Sequence, residues 1–344
     1  MSGFLALEDG SVFHGSSVGA EGVASGEAVF TTGMSGYQEA VTDPSFAGQI
    51  VCFTAPMVGN YGVLEERSES ATVHARAVVM REARGPGWTD WLRGRNVVAL
   101  TGVDTRSLVL ALREAGAMRA VAVSDGRSVD EALALANSIP SMDGQALVAD
   151  VSTSEPYVYR AEGNARIAVV DYGVKQSVLR RLAAAGAAVT VYPHDVDADE
   201  LAGYDGVLLS PGPGDPEPLG EQAATVRDLL GRTNVLGICL GHQLLAVATG
   251  HETFKLPFGH RGSNHPVLQR RDGRVLVTSQ NHGFAVRASD AHEASHISLY
   301  DETVEGLEFP ELRARSLQFH PEAGPGPHDA WPLLEKWVDE VASA

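Results

Sequence analysis

The length, composition and charge of the chain exclude several classes of protein. The chain has 344 residues, a formal net charge of −18, 44% hydrophobic and 20% charged residues, which is ordinary for a globular protein and enough for two domains with separate cores. The negative charge argues against nucleic acid as a partner, because phosphate binding normally needs a basic surface. No basic leader or long apolar run is present, and only Cys52 and Cys239 are cysteines, so we expect a cytoplasmic location with no membrane segment.

The first part of the chain alternates short apolar runs with glycine turns. Strand-like runs are predicted at 4–7, 28–31, 50–54 and 73–79, and one helix is predicted at 106–115. This pattern predicts an α+β, β-rich domain over residues 1–150. The following residues lack periodicity and include Pro156 and Gly163, so we expect a linker at 151–165.

The second part has a different pattern, in which strands alternate with helices. Strands are predicted at 167–171, 188–192, 207–209 and 235–238, and helices at 175–185 and 222–231. Such alternation predicts an α/β domain with a parallel sheet over residues 166–344. Its functional site should lie at the carboxyl ends of the strands.

The segment 235–245 is the most informative stretch. An apolar strand enters a Gly-x-Cys-x-Gly turn and continues as a helix. Glycine at 237 and 241 removes Cβ atoms that would clash in so sharp a turn, so Cys239 would project above the sheet. It would also face the partly positive N-terminus of the helix that begins near His242. These features predict a cysteine nucleophile elbow, and the alternative is a buried cysteine at an ordinary strand end.

The sequence Phe-His-Pro-Glu at 319–322 supplies partners for a cysteine nucleophile. A residue before proline is held in extended backbone, so His320 and Glu322, two positions apart, can project to the same side. Glu322 could then bond one imidazole nitrogen while the other faces Cys239. This arrangement predicts a triad with His320 as the general base and Glu322 as its orienting partner. A lone His-x-Glu pair would more often be a surface strand end.

A third segment, 206–216, runs a buried strand into a Pro-Gly-Pro-Gly loop. Alternating proline and glycine make a stiff loop that is nearly free of side chains, and proline donates no hydrogen bond. The Gly212 amide could therefore join the Leu240 amide in an oxyanion hole. By itself, such a loop is more often a plain turn.

These motifs together resemble a known family. Three segments resemble the class I glutamine amidotransferase domain, with its Cys-His-Glu triad: PGPGDP at 211–216, GICLGHQ at 237–243 and FHPE at 319–322. Segments in both halves of the chain resemble the small subunit of carbamoyl phosphate synthetase, at 30–63, 102–120, 258–267, 279–286 and 318–330. The first half is what separates that family from relatives that serve anthranilate or GMP synthesis.

The resemblance implies a fold and a reaction. The fold would be α/β, with a class I glutamine amidotransferase domain built on a mostly parallel sheet, joined to the N-terminal small-subunit domain. Cys239 would attack the side-chain amide of L-glutamine, His320 would act as acid and base, and Glu322 would orient it. A glutamyl thioester, ammonia and then glutamate would result.

The resemblance also implies ligands and partners. The glutamine-binding residues would be Ser45, Gly212, Gly214, Leu240, Gln243, Asn281, Gly283 and Phe284. Ammonia would pass to a large subunit that makes carbamoyl phosphate from bicarbonate, in a heterodimer or a higher oligomer of heterodimers, for arginine or pyrimidine synthesis or both. No cofactor is implied in this chain, because Mg-ATP would be used by the large subunit. We also expect no metal, since the spacing of the histidines matches no ligand pattern; those considered are His260, His265, His282 and His296.

The chain departs from the family pattern at Pro211, where asparagine is usual, and at Pro257, where lysine is frequent. The Gly212 amide survives the first change. Two other hypotheses remain. One is a non-catalytic regulatory subunit, which the joint presence of Cys239, His320 and Glu322 argues against. The other is a glutaminase that serves a different synthetase, which the first half of the chain argues against.

Overall fold

The computed structural model describes residues 2–287 and 293–343 and separates into two compact units. The first unit contains residues 1–143 together with a short segment, 257–261. The second unit contains residues 144–256 and 262–344. Each unit has its own hydrophobic core, as expected for a chain of this length.

Seven strands of the first unit close into a barrel. They are β1 (Ser2–Leu7), β2 (Val12–Ser17), β3 (Val23–Thr31), β4 (Gln49–Phe53), β5 (Ala77–Val79), β6 (Val98–Thr101) and β7 (Met118–Val123). Their closed order is β1-β2-β6-β5-β4-β3-β7. The pairs within β3-β4-β5-β6 are parallel, and the other pairs are antiparallel. The predicted β-rich first domain is therefore confirmed, although the predicted strand at 73–79 is confined to β5.

Four helices lie among the described residues of the first unit. They are α1 (Tyr37–Thr42), α2 (Pro86–Gly94), α3 (Thr105–Ala115) and α4 (Val129–Ser138), with 3-10 turns at Pro44–Phe46 and Glu65–Arg67. The predicted helix at 106–115 is α3, and the Asp104 side chain caps it by accepting the Ser107 N–H. Ser128 and Glu131 form a reciprocal capping box at the start of α4. Local sequence signals thus set both helix starts.

The second unit contains ten strands and five helices among its described residues. The strands are β8 (Tyr157–Arg160), β9 (Arg166–Asp171), β10 (Ala188–Pro193), β11 (Gly206–Leu209), β12 (Asn234–Ile238), β13 (Glu252–Gln269), β14 (Arg274–Arg287), β15 (Ala294–Ser298), β16 (Val304–Phe309) and β17 (Ala314–Leu317). The helices are α5 (Gln176–Ala184), α6 (Ala198–Leu201), α7 (Gly220–Leu229), α8 (Leu240–Ala248) and α9 (Trp331–Ala342), with 3-10 turns at Val148–Asp150 and Pro310–Leu312. Within the described ranges, no helix is both long and apolar enough to span a membrane.

One sheet organises the second unit, in the order β14-β13-β15-β16-β17-β12-β11-β9-β10-β8. Its central strands, from β17 to β10, are all parallel, and the flanking strands pair antiparallel. Side chains of β9 alternate between two cores: Ala168 and Val170 pack on the side of α7 and α8, whereas Ile167 and Val169 pack on the side of α5 and α9. A strand that is covered on both faces has a continuous run of apolar residues, and β9 has such a run.

The structure differs from the predicted linker at 151–165. Tyr157–Arg160 forms the edge strand β8, which pairs antiparallel with β10, and the compact units divide earlier, between Asp143 and Gly144. This strand has only four residues, most of them exposed. So short and exposed a run carries no buried periodicity, and for that reason the sequence pattern does not reveal it.

We expect α9 to anchor the core beneath the sheet. Leu334 is fully buried in that core, so Leu334→Ala should lower the free energy of unfolding by about 2–5 kcal/mol. Leu299→Ala is the matched control in the same unit, because Leu299 is 49% exposed and its truncation should cost about 0.5 kcal/mol or less. Urea denaturation of both variants measures the difference, and equal losses would contradict the placement of α9 in the core.

Candidate active site

The predicted catalytic residues follow strands that end at one edge of the sheet. Cys239 comes directly after β12, and the segment that carries His320 comes after β17. The last residues of these two parallel strands, Ile238 and Leu317, are paired. The Cys239 backbone N–H donates to the Leu317 carbonyl oxygen at 2.9 Å. Parallel pairing thus brings two segments far apart in sequence to the same carboxyl edge.

Cys239 occupies a strained backbone conformation at the start of α8. Its φ is +54° and its ψ is −105°, a region that residues with a Cβ atom rarely adopt. The flanking glycines are required by close approach: a Cβ on Gly237 would lie 2.4 Å from the Gly241 carbonyl oxygen, and one on Gly241 would lie 2.2 Å from that of Leu209. The elbow and the reason for its glycines are confirmed, and Cys239 is 2% exposed.

The first turn of α8 presents backbone donors beside the cysteine. Leu240 is the first residue of the helix, and such a residue has no intrahelical acceptor for its N–H. Gly212 lies against it, since a Cβ on Gly212 would approach the Leu240 Cδ2 to 2.8 Å. Gly214 has a φ of +92°, and its Cβ would approach the Gln145 carbonyl oxygen to 2.5 Å. The loop after β11 therefore brings the Gly212 backbone next to the elbow.

His320 is held by its backbone and by one ring nitrogen. Its N–H donates to the Ser279 carbonyl oxygen at 2.9 Å, and its Nδ1 lies 2.7 Å from Glu322 Oε1. Nε2 has no hydrogen-bond partner among the described residues, while the Cys239 thiol donates to the Asn281 carbonyl oxygen at a sulfur–oxygen distance of 3.6 Å. Cys239 nevertheless lies close enough to His320 to help raise the pKa of that histidine. Such contacts are often loose without substrate.

Lys175 is a second buried partner of Glu322, and no sequence motif predicted it. Its Nζ donates to the same Glu322 Oε1 at 2.8 Å, and the two side chains are 2% and 0% exposed. Asp171 shapes the loop before it by accepting the backbone N–H groups of Gly173 and Val174. Because Lys175 and Glu322 are 147 positions apart, no local pattern distinguishes this lysine from a surface lysine at the start of a helix.

The buried charges shift each other's proton affinities. Burial and the charge of Lys175 disfavour the charged imidazolium, but the charge and hydrogen bond of Glu322, together with the contribution of Cys239, raise the pKa of His320 to about 10. Burial likewise disfavours a charged Glu322, but Lys175 and His320 hold its pKa well below its ordinary value. The shared carboxylate oxygen therefore favours a negative Glu322 between two positive groups, with a proton on His320.

Seven of the eight predicted glutamine-binding residues belong to the second unit. The Gln243 Nε2 donates to the Phe284 carbonyl oxygen at 3.0 Å, and Gly283 lies between Phe284 and the 281–282 segment on β14. Ser45 lies in the first unit, in the 3-10 turn Pro44–Phe46. Its Oγ is buried and has no hydrogen-bond partner among the described residues. Its assignment to the glutamine site stays a prediction.

The histidines considered for a metal are not all in one unit. His260 belongs to the first unit, and the other three belong to the second. His282 Nδ1 lies 2.7 Å from the Phe284 carbonyl oxygen, and His296 Nδ1 lies 2.9 Å from Ser295 Oγ. These are hydrogen bonds of the kind that turn and strand histidines make, and the absence of a metal stays a prediction.

Comparison with known proteins covers both units. Residues 168–339 match the family model described as glutamine amidotransferase class-I, and residues 5–122 match the model described as the CPSase domain of the carbamoyl-phosphate synthase small chain. Three relatives are described as carbamoyl phosphate synthase small chain. That of Syntrophotalea carbinolica is 43% identical over 98% of this chain and 97% of its own length. That of Methanopyrus kandleri is 44% identical over 98% and 97%, and that of Listeria monocytogenes is 42% identical over 97% and 95%.

The fold and the matched residues define the second unit as a class I glutamine amidotransferase domain. Relatives that are 42–44% identical cover nearly all of the chain. The chain belongs to the carbamoyl phosphate synthase small chain family, as its motifs predict.

Removing the buried lysine should destabilise the fold. Lys175→Met leaves the Glu322 carboxylate with one buried partner fewer, so the free energy of unfolding at neutral pH should fall by about 3 kcal/mol. A Glu322 pKa below its ordinary value of 4.5 gives stability that is present above that pH and lost as the pH falls. The difference from the parent protein should therefore shrink below about pH 4.5. Urea denaturation across this pH range measures both effects.

The matched control for this prediction is Lys336→Met. Lys336 makes an exposed i,i+4 ion pair with Glu340 at 3.4 Å on α9, and such pairs contribute about 0–1 kcal/mol. A similar loss in both variants, or a loss from Lys175→Met that does not change with pH, would contradict a stabilising role for the buried pair.

Proposed function

We propose that the second unit hydrolyses L-glutamine and that a large partner subunit uses the ammonia to make carbamoyl phosphate. The observation that carries the proposal is the site at the carboxyl edge of the sheet. There, Cys239 is held at a strained elbow, and His320 is bound to Glu322 at 2.7 Å. The order of a nucleophile, a base and an orienting carboxylate is the one that acyl transfer through a thioester requires.

The first half of the reaction would form the thioester. Cys239 and His320 share one proton, and with that proton on His320 the Cys239 thiolate attacks the side-chain amide carbon of glutamine. The carbonyl π electrons move to oxygen, where the Leu240 and Gly212 amides stabilise the negative charge. The tetrahedral intermediate collapses as the carbon–nitrogen bond breaks. His320 then gives the shared proton to the departing nitrogen, so ammonia leaves and a glutamyl thioester remains.

The second half would release glutamate. A water molecule attacks the thioester carbon while the now neutral His320 takes one of its protons. The carbon–sulfur bond then breaks, glutamate leaves, and the proton is again shared by the Cys239 and His320 pair. Glutamine and water thus give glutamate and ammonia with no net change in the site, and the proton of the new carboxyl group passes to solvent. Glu322 and Lys175 keep the imidazole oriented throughout and take no part in proton transfer.

The substrate would be held by polar groups around the elbow. The proposed contacts are the side chain of Gln243 and backbone groups of Gly214, Asn281, Gly283 and Phe284, and the resemblance to the family adds Ser45. The family supports these assignments at matching motif positions. No metal or cofactor is needed for the proposed hydrolysis, because the cysteine is the nucleophile and the amides stabilise the oxyanion.

The proposed partner is the large subunit of carbamoyl phosphate synthetase. Support comes from the relatives, which are named as small chains of that enzyme and match this chain over 97–98% of its length. The Mg-ATP and bicarbonate would bind to the large subunit, and the assembly would be a heterodimer or an oligomer of heterodimers in the cytoplasm. The carbamoyl phosphate would serve arginine synthesis, pyrimidine synthesis or both.

A coupled assay tests this proposal. The purified chain is mixed with glutamine, with or without the large subunit and its Mg-ATP and bicarbonate, and both glutamate and carbamoyl phosphate are measured. We expect the partner to stimulate glutamate release and carbamoyl phosphate to form in step. Cys239→Ser should lower glutamine-dependent turnover by about a thousandfold or more, because the nucleophile is lost. Ammonia-dependent synthesis by the complex should persist.

The control and the contrary outcomes separate the alternatives. Cys52→Ser should retain activity, because Cys52 lies buried in the barrel of the first unit. If hydrolysis depends on Cys239 but its rate does not change when the large subunit is added, the chain serves another synthetase. No hydrolysis in any mixture would support a regulatory subunit, and loss of ammonia-dependent synthesis in Cys239→Ser would make that residue structural.

A further inference from the structure

We infer that Gln318 is a positioning residue that orients the Gln243 side-chain amide so that its oxygen receives the α-ammonium group of glutamine. The inference rests on the proposed function and adds a residue that the motif-based assignments leave out. Gln318 follows β17, two positions before His320, and is fully buried. Its backbone N–H donates to the Glu305 carbonyl oxygen at 2.8 Å. This hydrogen bond fixes the backbone position of Gln318.

The orientation of the Gln243 amide follows from its two neighbours. One amide atom of Gln243 lies 3.0 Å from the Phe284 carbonyl oxygen. A carbonyl oxygen only accepts hydrogen bonds, so that atom is the nitrogen, Nε2. The same Nε2 lies 3.1 Å from Gln318 Oε1. Both N–H groups of Gln243 are therefore used within the protein, and its Oε1 is left to accept a hydrogen bond.

Two anchors are needed to hold this amide in place. With the Phe284 carbonyl alone, the amide plane could rotate about the N–H···O axis. The second bond to Gln318 fixes the plane, and therefore the direction in which Gln243 Oε1 points. Both side chains are buried, at 3% and 0% exposure. In such surroundings, an unmade hydrogen bond is costly and a made one holds its geometry well.

The chemistry of Gln243 Oε1 selects the part of the substrate that this oxygen can bind. An amide oxygen repels a carboxylate and accepts from an ammonium group, and charge assistance strengthens that bond. Gln243 lies one helical turn after Cys239, to whose carbonyl oxygen its N–H donates. The side-chain amide carbon of the substrate must lie at the Cys239 sulfur, and the α-ammonium is the remaining donor for Gln243 Oε1.

Two substitutions at 318 separate positioning from packing. Gln318→Met keeps nearly the same shape but removes the acceptor, whereas Gln318→Glu keeps an acceptor oxygen in either protonation state. Each is made in the 344-residue chain with Cys239→Ser, so that glutamine binds without being consumed. Calorimetry then measures the Kd of L-glutamine and of 4-carbamoylbutanoate, which is glutamine without its α-ammonium group.

The expected result is a selective loss of affinity. Gln318→Met should raise the Kd of glutamine about tenfold, because the bond to the ammonium group is lost or misaligned. The Kd of 4-carbamoylbutanoate should change by less than about twofold, because the analogue never makes that bond. Gln318→Glu should return the Kd of glutamine to within about threefold of the parent value. In the otherwise native enzyme, Gln318→Met should raise KM with kcat little changed.

The control is Gln222→Met, the same substitution at a glutamine of the second unit whose amide bonds His194. It should leave both Kd values unchanged. An unchanged Kd for glutamine in Gln318→Met, or an equal rise for both ligands, would overturn the positioning role. If the Cys239→Ser parent itself does not bind glutamine, the proposed function fails, and that outcome is distinct from a failure at Gln318 alone.

Discussion

One carboxylate oxygen joins the parts of the candidate active site. Glu322 Oε1 accepts hydrogen bonds from His320 Nδ1 at 2.7 Å and Lys175 Nζ at 2.8 Å, and all three side chains are buried. A buried carboxylate is costly unless it is paired, so the loop after β9 and the segment after β17 must meet for either to be stable. The contact that stabilises this edge of the sheet also orients the proposed base.

The cysteine is presented by a different constraint, the lack of space at the turn between β12 and α8. Close backbone contacts at Gly237 and Gly241 leave no room for a Cβ atom, and Cys239 absorbs the resulting strain in its backbone. Strain at such a position persists only where the surroundings impose it. Here two buried cores, one on each face of the sheet, hold both ends of the turn.

The sequence predicts those features that depend on neighbouring residues. The elbow glycines, the His-Pro-Glu spacing and the alternation of strands and helices are local, and the structure contains all of them. Lys175 and Gln318 were missed because their partners lie 147 and 75 positions away, and no short motif records such pairings. The barrel order of the first unit and the short edge strand β8 also depend on distant pairing, which explains why the strand runs were predicted but their arrangement was not.

The most direct test of the account is where a glutamine-like electrophile attaches. The chloromethyl ketone analogue of glutamine is incubated with the chain, with and without excess glutamine, and the labelled peptide is identified by mass spectrometry. If Cys239 is the nucleophile, one label is expected on Cys239, and glutamine should slow its attachment. A label on Cys52, or labelling of Cys239 that glutamine does not slow, would contradict the assignment of Cys239 as the nucleophile that receives glutamine.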